Sequence, residues 1–301
     1  MYKSFLSKVI FTLCFVFMSL IPFVTGEAGM TSTASATNAC NLPNYPNPLC
    51  TGVPTGTVLT TINSDYTVKT NNEVIDKKHI TGDLLIKAAN VVIKNSQIDG
   101  VVTNEIGGIF YGPFTITDST VGPPIGCVVG VAIGDSNYTA IRVRTRGIDD
   151  GFRISQPGNV IVRDSYYKGC VPNVPDPHPD GIQSVCETTC STILVTHNTF
   201  DQRGMTKSNS PIFIVDPLAR NVTVNNNLIG GGTFSLQLEW GGGPKWNVSG
   251  NKIIYNSWKY APASMEGTCS NINWGSGNAA VTINQYYQIT STVTNYTSCI
   301  D

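Results

Sequence analysis

The chain has 301 residues, of which 41% are hydrophobic and 13% charged, and its 19 Lys and Arg nearly balance its 20 Asp and Glu. This composition excludes an intrinsically disordered chain, because it supplies enough apolar surface to bury a core. The formal net charge of −1 excludes nucleic-acid binding through bulk charge. Any charged ligand must therefore be recognised by a local cluster of residues.

The first 26 residues have the layout of a secretory signal peptide. Lys3 and Lys8 precede an apolar run from Val9 to Val24, and small residues follow at Thr25 and Gly26. No later stretch approaches the ~18 consecutive apolar residues that a membrane-spanning helix requires. We therefore expect an extracellular, secreted protein that has no membrane contact once the signal is removed.

Cysteine usage agrees with an oxidising compartment. Cys14 lies in the signal segment, and the other eight cysteines form an even set. The sequence alone does not fix their connectivity, but spacing leads us to predict Cys40–Cys50, Cys186–Cys190, Cys127–Cys170 and Cys269–Cys299. Zinc binding is disfavoured, because Cys186 and Cys190 have no nearby CxxC or HxxxH partner.

A short motif recurs seven times in the middle of the chain: apolar, any, apolar, any, two mostly polar residues, any, apolar. Each copy is typical of a short strand that runs into a turn. The copies lie at 91–98, 114–121, 141–148, 160–167, 193–200, 222–229 and 246–253. Their mean spacing of about 26 residues is that of one coil of a parallel β-helix.

We therefore predict an all-β, single-domain right-handed parallel β-helix, a solenoid with disulfide-bonded terminal caps. A β-sandwich also contains short strands at regular spacing, but a recurring polar turn position favours a stacked ladder in the solenoid. The ladder is predicted at Asn95, Asp118, Thr145, Asp164, His197 and Asn226. The predicted segments are a signal peptide at 1–26, an N-terminal cap at 27–60, the β-helix at 61–261, and a C-terminal cap or tail at 262–301.

A second strand follows the turn in each coil, and four such strands align at 150–154, 180–184, 210–214 and 234–238. Period-2 alternation turns one set of side chains outward, namely Arg153, Gln183, Phe213 and Gln237. We call these four residues the outward row and predict that they form a substrate surface. The inward set is Phe152, Ile182, Ile212 and Leu236.

Acidic residues and a histidine lie at the two ends of the outward row. Asp149, Asp150, His178 and Asp180 lie at its head, and Glu239 lies at its far end. Carboxylates on adjacent coils raise each other's pKa, which suits a general acid. The Asp-Gly pairs at Asp150 and Asp180 are also typical of a purely structural turn, so both interpretations stay open at this point.

Six basic residues are concentrated between Arg142 and Lys168. Arg142 and Arg144 share one strand face, and the planar guanidinium suits a carboxylate or sulfate ligand. Nearby aspartates could instead neutralise these arginines in a surface lattice. Further along, Arg203 and Lys207 are predicted to lie in a loop beside the outward row, and Tyr166 and Trp240 are predicted to contact sugar rings.

From residue 52 to about residue 274 the chain resembles secreted right-handed parallel β-helix proteins of the pectate-lyase-like superfamily. The stretches that carry this resemblance are 92–98, 133–140, 178–183 and 195–200. The resemblance implies the fold and the cleavage of acidic polysaccharides, by β-elimination or by hydrolysis. The Asp149-Asp150-Gly and Asp180-Gly turns look like those of the polygalacturonase-like hydrolases, although their order along the chain is reversed.

The first hypothesis is a monomeric polysaccharide lyase that acts on a uronic-acid glycan. Arg153 and Arg144 would neutralise the uronate carboxylate, and His178 or Lys168 would take the proton. Asp180 would orient the histidine, and Gln183 would contact a sugar hydroxyl. The alternatives are an inverting glycoside hydrolase that uses Asp180 with Asp150 or Asp149, and a non-catalytic glycan-binding solenoid.

The predicted site divides into two groups. The catalytic candidates are His178, Asp180, Lys168, Arg153 and Asp150. The substrate-binding candidates are Arg142, Arg144, Asp149, Gln183, Arg203, Lys207, Gln237, Glu239, Tyr166 and Trp240. No metal ligands are assigned and no cofactor is required, with calcium dependence left open; no nucleic-acid partner is expected.

Overall fold

A computed structural model describes residues 40–156 and 158–301. The predicted signal peptide and the first part of the predicted N-terminal cap, residues 27–39, lie outside the described residues. Across the described ranges, no helix combines the length and the apolar character needed to cross a membrane.

The described chain is almost entirely strands and turns. The first ten strands are β1 (Thr60–Ile62), β2 (Tyr66–Val68), β3 (Val74–Asp76), β4 (Lys78–Ile80), β5 (Leu84–Ile86), β6 (Val91–Lys94), β7 (Gln97–Ile98), β8 (Val102–Thr103), β9 (Glu105–Ile106) and β10 (Ile109–Phe110). The next ten are β11 (Phe114–Thr117), β12 (Thr120–Val121), β13 (Val128–Ile133), β14 (Tyr138–Ile141), β15 (Arg144–Thr145), β16 (Ile148–Ile154), β17 (Asn159–Arg163), β18 (Tyr166–Lys168), β19 (Ile182–Ser184) and β20 (Thr192–Thr196). The remaining strands are β21 (Thr199–Gln202), β22 (Ile212–Ile214), β23 (Val222–Asn225), β24 (Leu228–Gly231), β25 (Phe234–Leu238), β26 (Trp246–Ser249), β27 (Lys252–Ile254), β28 (Ala261–Ser264), β29 (Ile272–Trp274), β30 (Ala279–Ile283) and β31 (Ile289–Asn295). A single turn of 3₁₀ helix covers Cys269–Asn271.

Three long sheets form the walls of a parallel β-helix. Sheet A has the order β1-β4-β7-β12-β15-β18-β21-β24-β27-β30-β31, sheet B has β2-β5-β8-β13-β16-β19-β22-β25-β28, and sheet C has β3-β6-β11-β14-β17-β20-β23-β26-β29. The chain visits B, then C, then A, and each strand pairs in parallel with the strand one coil away. The all-β solenoid predicted from the repeat is therefore confirmed.

The core consists of identical positions stacked from coil to coil. In sheet C the inward column is Ile93, Ile116, Ala140, Val162, Val195, Val224 and Val248, and every one of these side chains is 0% exposed. β-Branched side chains pack well on a pleated surface. Burying each of them contributes roughly 1.5–3 kcal/mol before the entropy of folding is counted.

The register corrects one copy of the sequence repeat. Tyr138 pairs with Val160 and with Phe114, so the strand of this coil is β14 and the copy predicted at 141–148 begins three residues too late. Ile141 and Val143 imitated the motif because both are apolar and alternate. The turn position of this coil is consequently Arg142, with φ +51°, and Thr145 lies beyond the turn in sheet A.

The continuous inter-coil ladder lies one residue after the predicted position, although some predicted positions also bond between coils, as Asn95 does with Asp76 and His197 with Asp164. Asn95, Asp118, Asp164, His197 and Asn226 have φ between +47° and +54°, so they make the sharp bend from sheet C to sheet A. The buried residues that follow the bend bond to the next coil. In the C-terminal half these are Asn198, Asn227, Asn251 and Asn278, joined by Nδ2–H to Oδ1 bonds of 3.0, 3.0 and 3.2 Å.

The segments at the two termini differ from the predicted caps in their placement. Residues 40–55, which we call the strap, lie along the bend between sheets C and A. The Gly52 N–H donates to the Arg142 carbonyl at 2.9 Å, and Tyr45 packs with Leu228 and Ile254. At the other end, β28, β29 and β30 complete one more coil than the predicted boundary at 261 allows, and β31 closes sheet A by antiparallel pairing with β30.

All four predicted disulfides are formed: Cys40–Cys50, Cys127–Cys170, Cys186–Cys190 and Cys269–Cys299. Cys40–Cys50 lies within the strap, and Cys269–Cys299 ties the last coil to the C-terminal segment. Cys127–Cys170 joins two connections that lead from sheet A to sheet B. Disulfides persist in oxidising compartments, which agrees with an extracellular environment.

Candidate active site

The outer face of sheet B carries the outward row. Arg153 pairs with Gln183, Gln183 with Phe213, and Phe213 with Gln237, so the four side chains follow one another along the solenoid axis. The four inward neighbours, Phe152, Ile182, Ile212 and Leu236, are buried at 0–1% exposure. The row is therefore placed as alternation predicts, and all of its members are half-buried.

Asp150 lies at the head of the row with one oxygen engaged and the other turned toward Arg153. Its Oδ1 accepts the backbone N–H of Asp180 at 2.9 Å, and its Oδ2 lies 3.5 Å from Nη2 of Arg153. Burial raises the pKa of Asp150 from 3.8 to about 6; the N–H bond from Asp180 opposes this shift, and the Asp149 charge adds to it. The carboxyl group is 15% exposed, so it can still exchange protons with a bound molecule.

Asp180 occupies the equivalent place one coil further on, at 1% exposure. Its Oδ1 accepts the Ser210 N–H at 3.1 Å, and Nδ2 of Asn209 lies 3.5 Å from its Oδ2. Burial raises the pKa of Asp180 well above its usual range, and the neighbouring Asp150 charge raises it further. Asp180 thus repeats the inter-coil bond of Asp150 but is enclosed by protein.

The glycines of the two Asp-Gly pairs are required by close stacking. A Cβ at Gly151 would lie 2.3 Å from the Gly181 carbonyl oxygen, and one at Gly181 would lie 2.2 Å from the Pro211 carbonyl oxygen. A bond of the same kind, one strand position later, occurs in an earlier coil, where Asp83 accepts the Val101 N–H at 2.9 Å. The hydrogen bond from a backbone N–H to an aspartate of the preceding coil is therefore structural wherever it occurs. Asp150 differs from the other aspartates in its raised pKa and its arginine neighbour.

Asp149 is buried and holds the turn. Its Oδ1 accepts the backbone N–H groups of Gly130 at 2.8 Å and of Asp150 at 3.1 Å. This side chain faces the protein and fixes the backbone that carries Asp150, so it is placed to position Asp150 and not to contact a substrate.

His178 does not form the predicted pair with Asp180. Its side chain is 66% exposed in the connection between β18 and β19, and its Nε2 lies 3.6 Å from Asp176 instead. A single residue, the buried Pro179, separates His178 from Asp180. The histidine and the carboxyl group therefore have different environments, one in solvent and one in the core.

The basic cluster between Arg142 and Lys168 is dispersed around the solenoid. A span of this length is about one coil, so neighbours in sequence lie on different faces. Arg142 lies at the bend between sheets C and A, where its Nε lies 2.6 Å from Asp118 Oδ1, and Arg144 lies in sheet A beside Gly52 of the strap. Of the predicted cationic ligands in this span, Arg153 is the one in the outward row.

Lys168 and Arg203 bind a carboxylate on the outer face of sheet A. Lys168 Nζ lies 3.0 Å from Asp201 Oδ2, and Arg203 Nε lies 2.9 Å from Asp201 Oδ1. The Tyr287 hydroxyl donates to the same carboxylate at 2.8 Å. Asp201 is completely buried, and although burial opposes its ionisation, the hydrogen bond and charge of Arg203, with Lys168, lower its pKa to about 2.

Tyr166 belongs to the same structural cluster. It is 3% exposed, and its hydroxyl lies 2.6 Å from the Tyr287 hydroxyl. It is therefore covered by the turn between β30 and β31 and presents no ring to a sugar. Sequence alternation could not show this, because the covering residue comes from a segment 121 positions away.

The far end of the row carries the remaining predicted contacts. Gln237 is held on both sides, accepting from the Ser210 hydroxyl at 2.9 Å and donating to Glu266 at 2.7 Å. Glu239 is exposed and Trp240 half-buried, both beyond the end of β25. Lys207 lies in the connection between β21 and β22, and its Nζ donates to the Pro175 carbonyl at 3.0 Å.

The structure also draws attention to residues outside the predicted catalytic and substrate-binding candidates, one of which belongs to the outward row. Phe213 is the half-buried aromatic ring within the outward row, whereas Tyr166 was selected for sugar contact. Lys259 and Tyr260 lie just before β28, in the connection that follows the last predicted copy of the motif at 246–253. Alternation already turned Phe213 outward, so that signal was present; the coil of Lys259 and Tyr260 lacked a recognisable copy of the motif.

Comparisons with family models, with curated proteins and with solved structures found no match to this chain. Within the described residues, no group of three or more His, Cys, Asp or Glu side chains is arranged to hold a metal ion.

Proposed function

We propose that this protein is a secreted enzyme that cleaves an acidic, uronic-acid-containing polysaccharide by β-elimination on the outer face of sheet B. The observation that carries the proposal is Asp150, a partly exposed carboxyl group whose pKa is raised to about 6, with Arg153 at 3.5 Å. A general base is most effective when its pKa lies near the working pH. Arg153 is the natural partner for a uronate carboxylate, because its guanidinium matches that group in shape and charge.

In this proposal Oδ2 of Asp150 takes the proton from the carbon next to the uronate carboxylate. The electron pair of that C–H bond forms the new carbon–carbon double bond, and the glycosidic C–O bond breaks. The leaving oxygen takes a proton from solvent. Arg153 stabilises the negative charge that develops on the carboxylate during proton removal, which lowers the barrier by preorganised electrostatics.

Roles in this mechanism differ from those expected from sequence. His178 and Lys168 were the expected bases, but Lys168 is bound to Asp201 on another sheet and His178 lies in solvent beside Asp176. Asp150 replaces them because it combines position, exposure and a suitable pKa. Phe213 and Gln183 follow Arg153 along the row and supply a ring and an amide for neighbouring sugars.

Three features support the wider setting of the proposal. The parallel β-helix and the motifs that resemble the pectate-lyase-like superfamily favour an acidic-polysaccharide enzyme, although fold alone does not determine function. The four disulfides favour secretion. The signal-peptide layout of residues 1–26 favours it independently.

A glycoside hydrolase is the second candidate, because Asp180 stacks on Asp150 and the pKa of each is raised. A pair of carboxyl groups with separated proton affinities can divide the acid and base roles of glycoside hydrolysis. The burial of Asp180 at 1% exposure makes it the weaker partner in such a pair. A solenoid that only binds glycans is the third candidate.

The test is to incubate the protein with acidic and neutral polysaccharides, with and without calcium, while ultraviolet absorbance and reducing ends are followed together. Elimination raises both signals, and the rate should increase as pH rises through about 6, because Asp150 must be ionised to act as a base. Hydrolysis would raise reducing ends alone, with a limb that falls above pH 6 if Asp150 is the acid. Binding without either signal would leave the non-catalytic solenoid.

A further inference from the structure

The connections from sheet A to sheet B enclose a polar pocket beside the outward row. Four consecutive connections surround it, at 169–181, 203–211, 232–233 and 255–260, and its volume is 240 Å³. We call it the rim pocket. Lys207, Lys259, Thr206, Ser208, Thr233 and Asp176 contribute its polar side chains.

The rim pocket carries two ammonium groups with no acidic partner. Across residues 40–156 and 158–301, neither Lys207 nor Lys259 has a carboxylate oxygen within 4.0 Å. The acid in the lining, Asp176, lies 3.6 Å from His178 and is 83% exposed. Lys259 Nζ lies 4.9 Å from the ring centroid of Tyr260, and that ring is 63% exposed.

The pocket is connected to the head of the outward row by hydrogen bonds. The Thr233 N–H and hydroxyl donate to the Asn209 carbonyl at 2.7 and 3.0 Å. The Asn209 N–H donates to the Pro179 carbonyl at 3.1 Å, and its side chain lies 3.5 Å from Asp180. A ligand in the rim pocket would therefore lie against the same backbone that places Asp180 and, through it, Asp150.

We propose that the rim pocket binds a second acidic sugar of the polysaccharide, through its carboxylate or sulfate, with Lys207 and Lys259 as the cationic ligands. This inference rests on the proposed function, since it assigns charge recognition for the same substrate. Ammonium groups pair with carboxylate or sulfate oxygens, and the Thr206, Ser208 and Thr233 hydroxyls match sugar hydroxyls. The exposed Tyr260 ring beside Lys259 provides an apolar face for the sugar ring.

The test measures binding apart from turnover, in an Asp150→Asn background. Isothermal titration calorimetry with polygalacturonate, alginate, hyaluronan and heparin, and with dextran as the neutral polymer, identifies the anionic polymer that binds best. Adding Lys207→Gln and Lys259→Gln should weaken that binding on the order of 10²-fold, because two charge-assisted contacts are lost. The matched control, Lys87→Gln with Lys245→Gln, removes the same charge from two exposed lysines elsewhere and should change affinity less than about threefold.

A charge-preserving variant separates recognition from loop structure, since Lys207 also bonds to Pro175. Lys207→Arg with Lys259→Arg should retain most of the affinity. Equal affinity of the Gln pair and its control, or no binding of any anionic polymer, overturns the inference. If the wild type cleaves a polymer and the Gln pair leaves KM unchanged, the inference fails while the proposed function stands. If binding depends on the two lysines but the wild type cleaves no polymer, the binding site stands and the proposed function fails.

Discussion

The outer faces of sheets A and B each carry an aspartate between neighbouring coils, in opposite electrostatic settings. On sheet A, Asp201 receives Lys168, Arg203 and the Tyr287 hydroxyl, and these partners bring its pKa to about 2. On sheet B, Asp150 has Arg153 at 3.5 Å, and its pKa is about 6. A carboxylate with a full set of cationic and hydrogen-bond partners stabilises the structure, whereas a carboxyl group whose ionisation is costly is a candidate for proton transfer.

The two faces also differ in what covers them. The turn between β30 and β31 places Tyr287 over Tyr166 and Asp201, and the strap places Tyr45 against Leu228 and Ile254. The outward row on sheet B is half-buried and flanked by the connections that form the rim pocket. Sheet A therefore has the closed face of the two, whereas the outward row of sheet B remains partly exposed.

The comparison predicts its largest effect at Asp150. Asp150→Asn keeps the oxygen that accepts the Asp180 N–H but removes the base, so the cleavage rate should fall about 10²- to 10⁴-fold. Asp83→Asn is the matched control, because Asp83 makes the same kind of bond to a backbone N–H of the next coil, in an earlier part of the solenoid. The measurement is the steady-state cleavage rate of each variant on the cleaved polymer. Equal losses of rate in the two variants would show that the rate depends on the hydrogen-bonded turn and not on a base at position 150.

A stability effect is expected on the closed face. Asp201→Asn leaves Lys168 and Arg203 without their buried counter-charge, and because these cations are 43% and 35% exposed, the free energy of unfolding should fall by about 1–3 kcal/mol. Urea titration at pH 7 measures this free energy. Tyr287→Phe, which removes one hydroxyl donor from the same carboxylate, should lower the free energy of unfolding by about 1 kcal/mol. A loss below 1 kcal/mol for Asp201→Asn would show that the face does not depend on this charge.

The parts of the fold that could be predicted from the sequence are those in which apolar residues alternate regularly along a strand. Strands whose apolar residues alternate and end in a polar bend, such as β17 and β20, were located from sequence, as were the inward residues of sheet B. The coil of β14 was misplaced because Ile141, the last residue of β14, and Val143 beyond it form a second apolar alternation, out of phase with the inward residues Tyr138 and Ala140. The coil of β28 to β30 was missed because its bend is one residue longer: Trp274 pairs with Val248, but the strand after the bend pairs Ala279 with Lys252, so the motif is interrupted.

Contacts between coils explain why the site was only partly predicted. The outward row follows from alternation within a strand, so Arg153 and Gln183 were placed together. The partner of Lys168, Asp201, lies 33 residues away, and the partner of Tyr166 lies 121 residues away. Charges that are clustered in sequence are spread around one coil, so the predicted cationic patch could not form on a single face.

Titration offers a second contrast between the faces. Because the folded-state pKa of Asp150 is raised, the native state binds its proton more tightly than the unfolded state, and stability is lost as pH rises from about 4 through about 6. Asp150→Asn removes this penalty, so it should be more stable than the wild type by up to about 3 kcal/mol at pH 7–8 and nearly equal at pH 4. Asp201 behaves oppositely, and its contribution is lost only as pH falls toward 2. A stability difference for Asp150→Asn that does not vary with pH would contradict the raised pKa.

The smallest predicted effect concerns the strap, at the bend beside the closed face. Both ring nitrogens of His197 face acceptors, with Nδ1 at 2.6 Å from Asp164 Oδ1 and Nε2 at 3.0 Å from the Asn44 carbonyl. Only the imidazolium can donate to both. Burial opposes protonation, but the Asp164 and Asn44 bonds raise the pKa of His197 overall.

Other groups near the His197 ring also affect how its protonation changes the stability of the protein. Arg163 lies 3.8 Å from Asp164 and competes for its charge, while the Tyr45 ring of the strap packs at 5.8 Å. A raised histidine pKa contributes stability that is complete below the unfolded value near 6.5 and is lost as pH rises through the folded value. His197→Gln should therefore cost about 1 kcal/mol at pH 5 and less at pH 9, measured by urea unfolding. The control, His178→Gln at an exposed histidine, should leave the free energy of unfolding unchanged at both pH values. A loss of stability in His197→Gln that grows with pH would show that the neutral ring, and not the imidazolium, binds the strap.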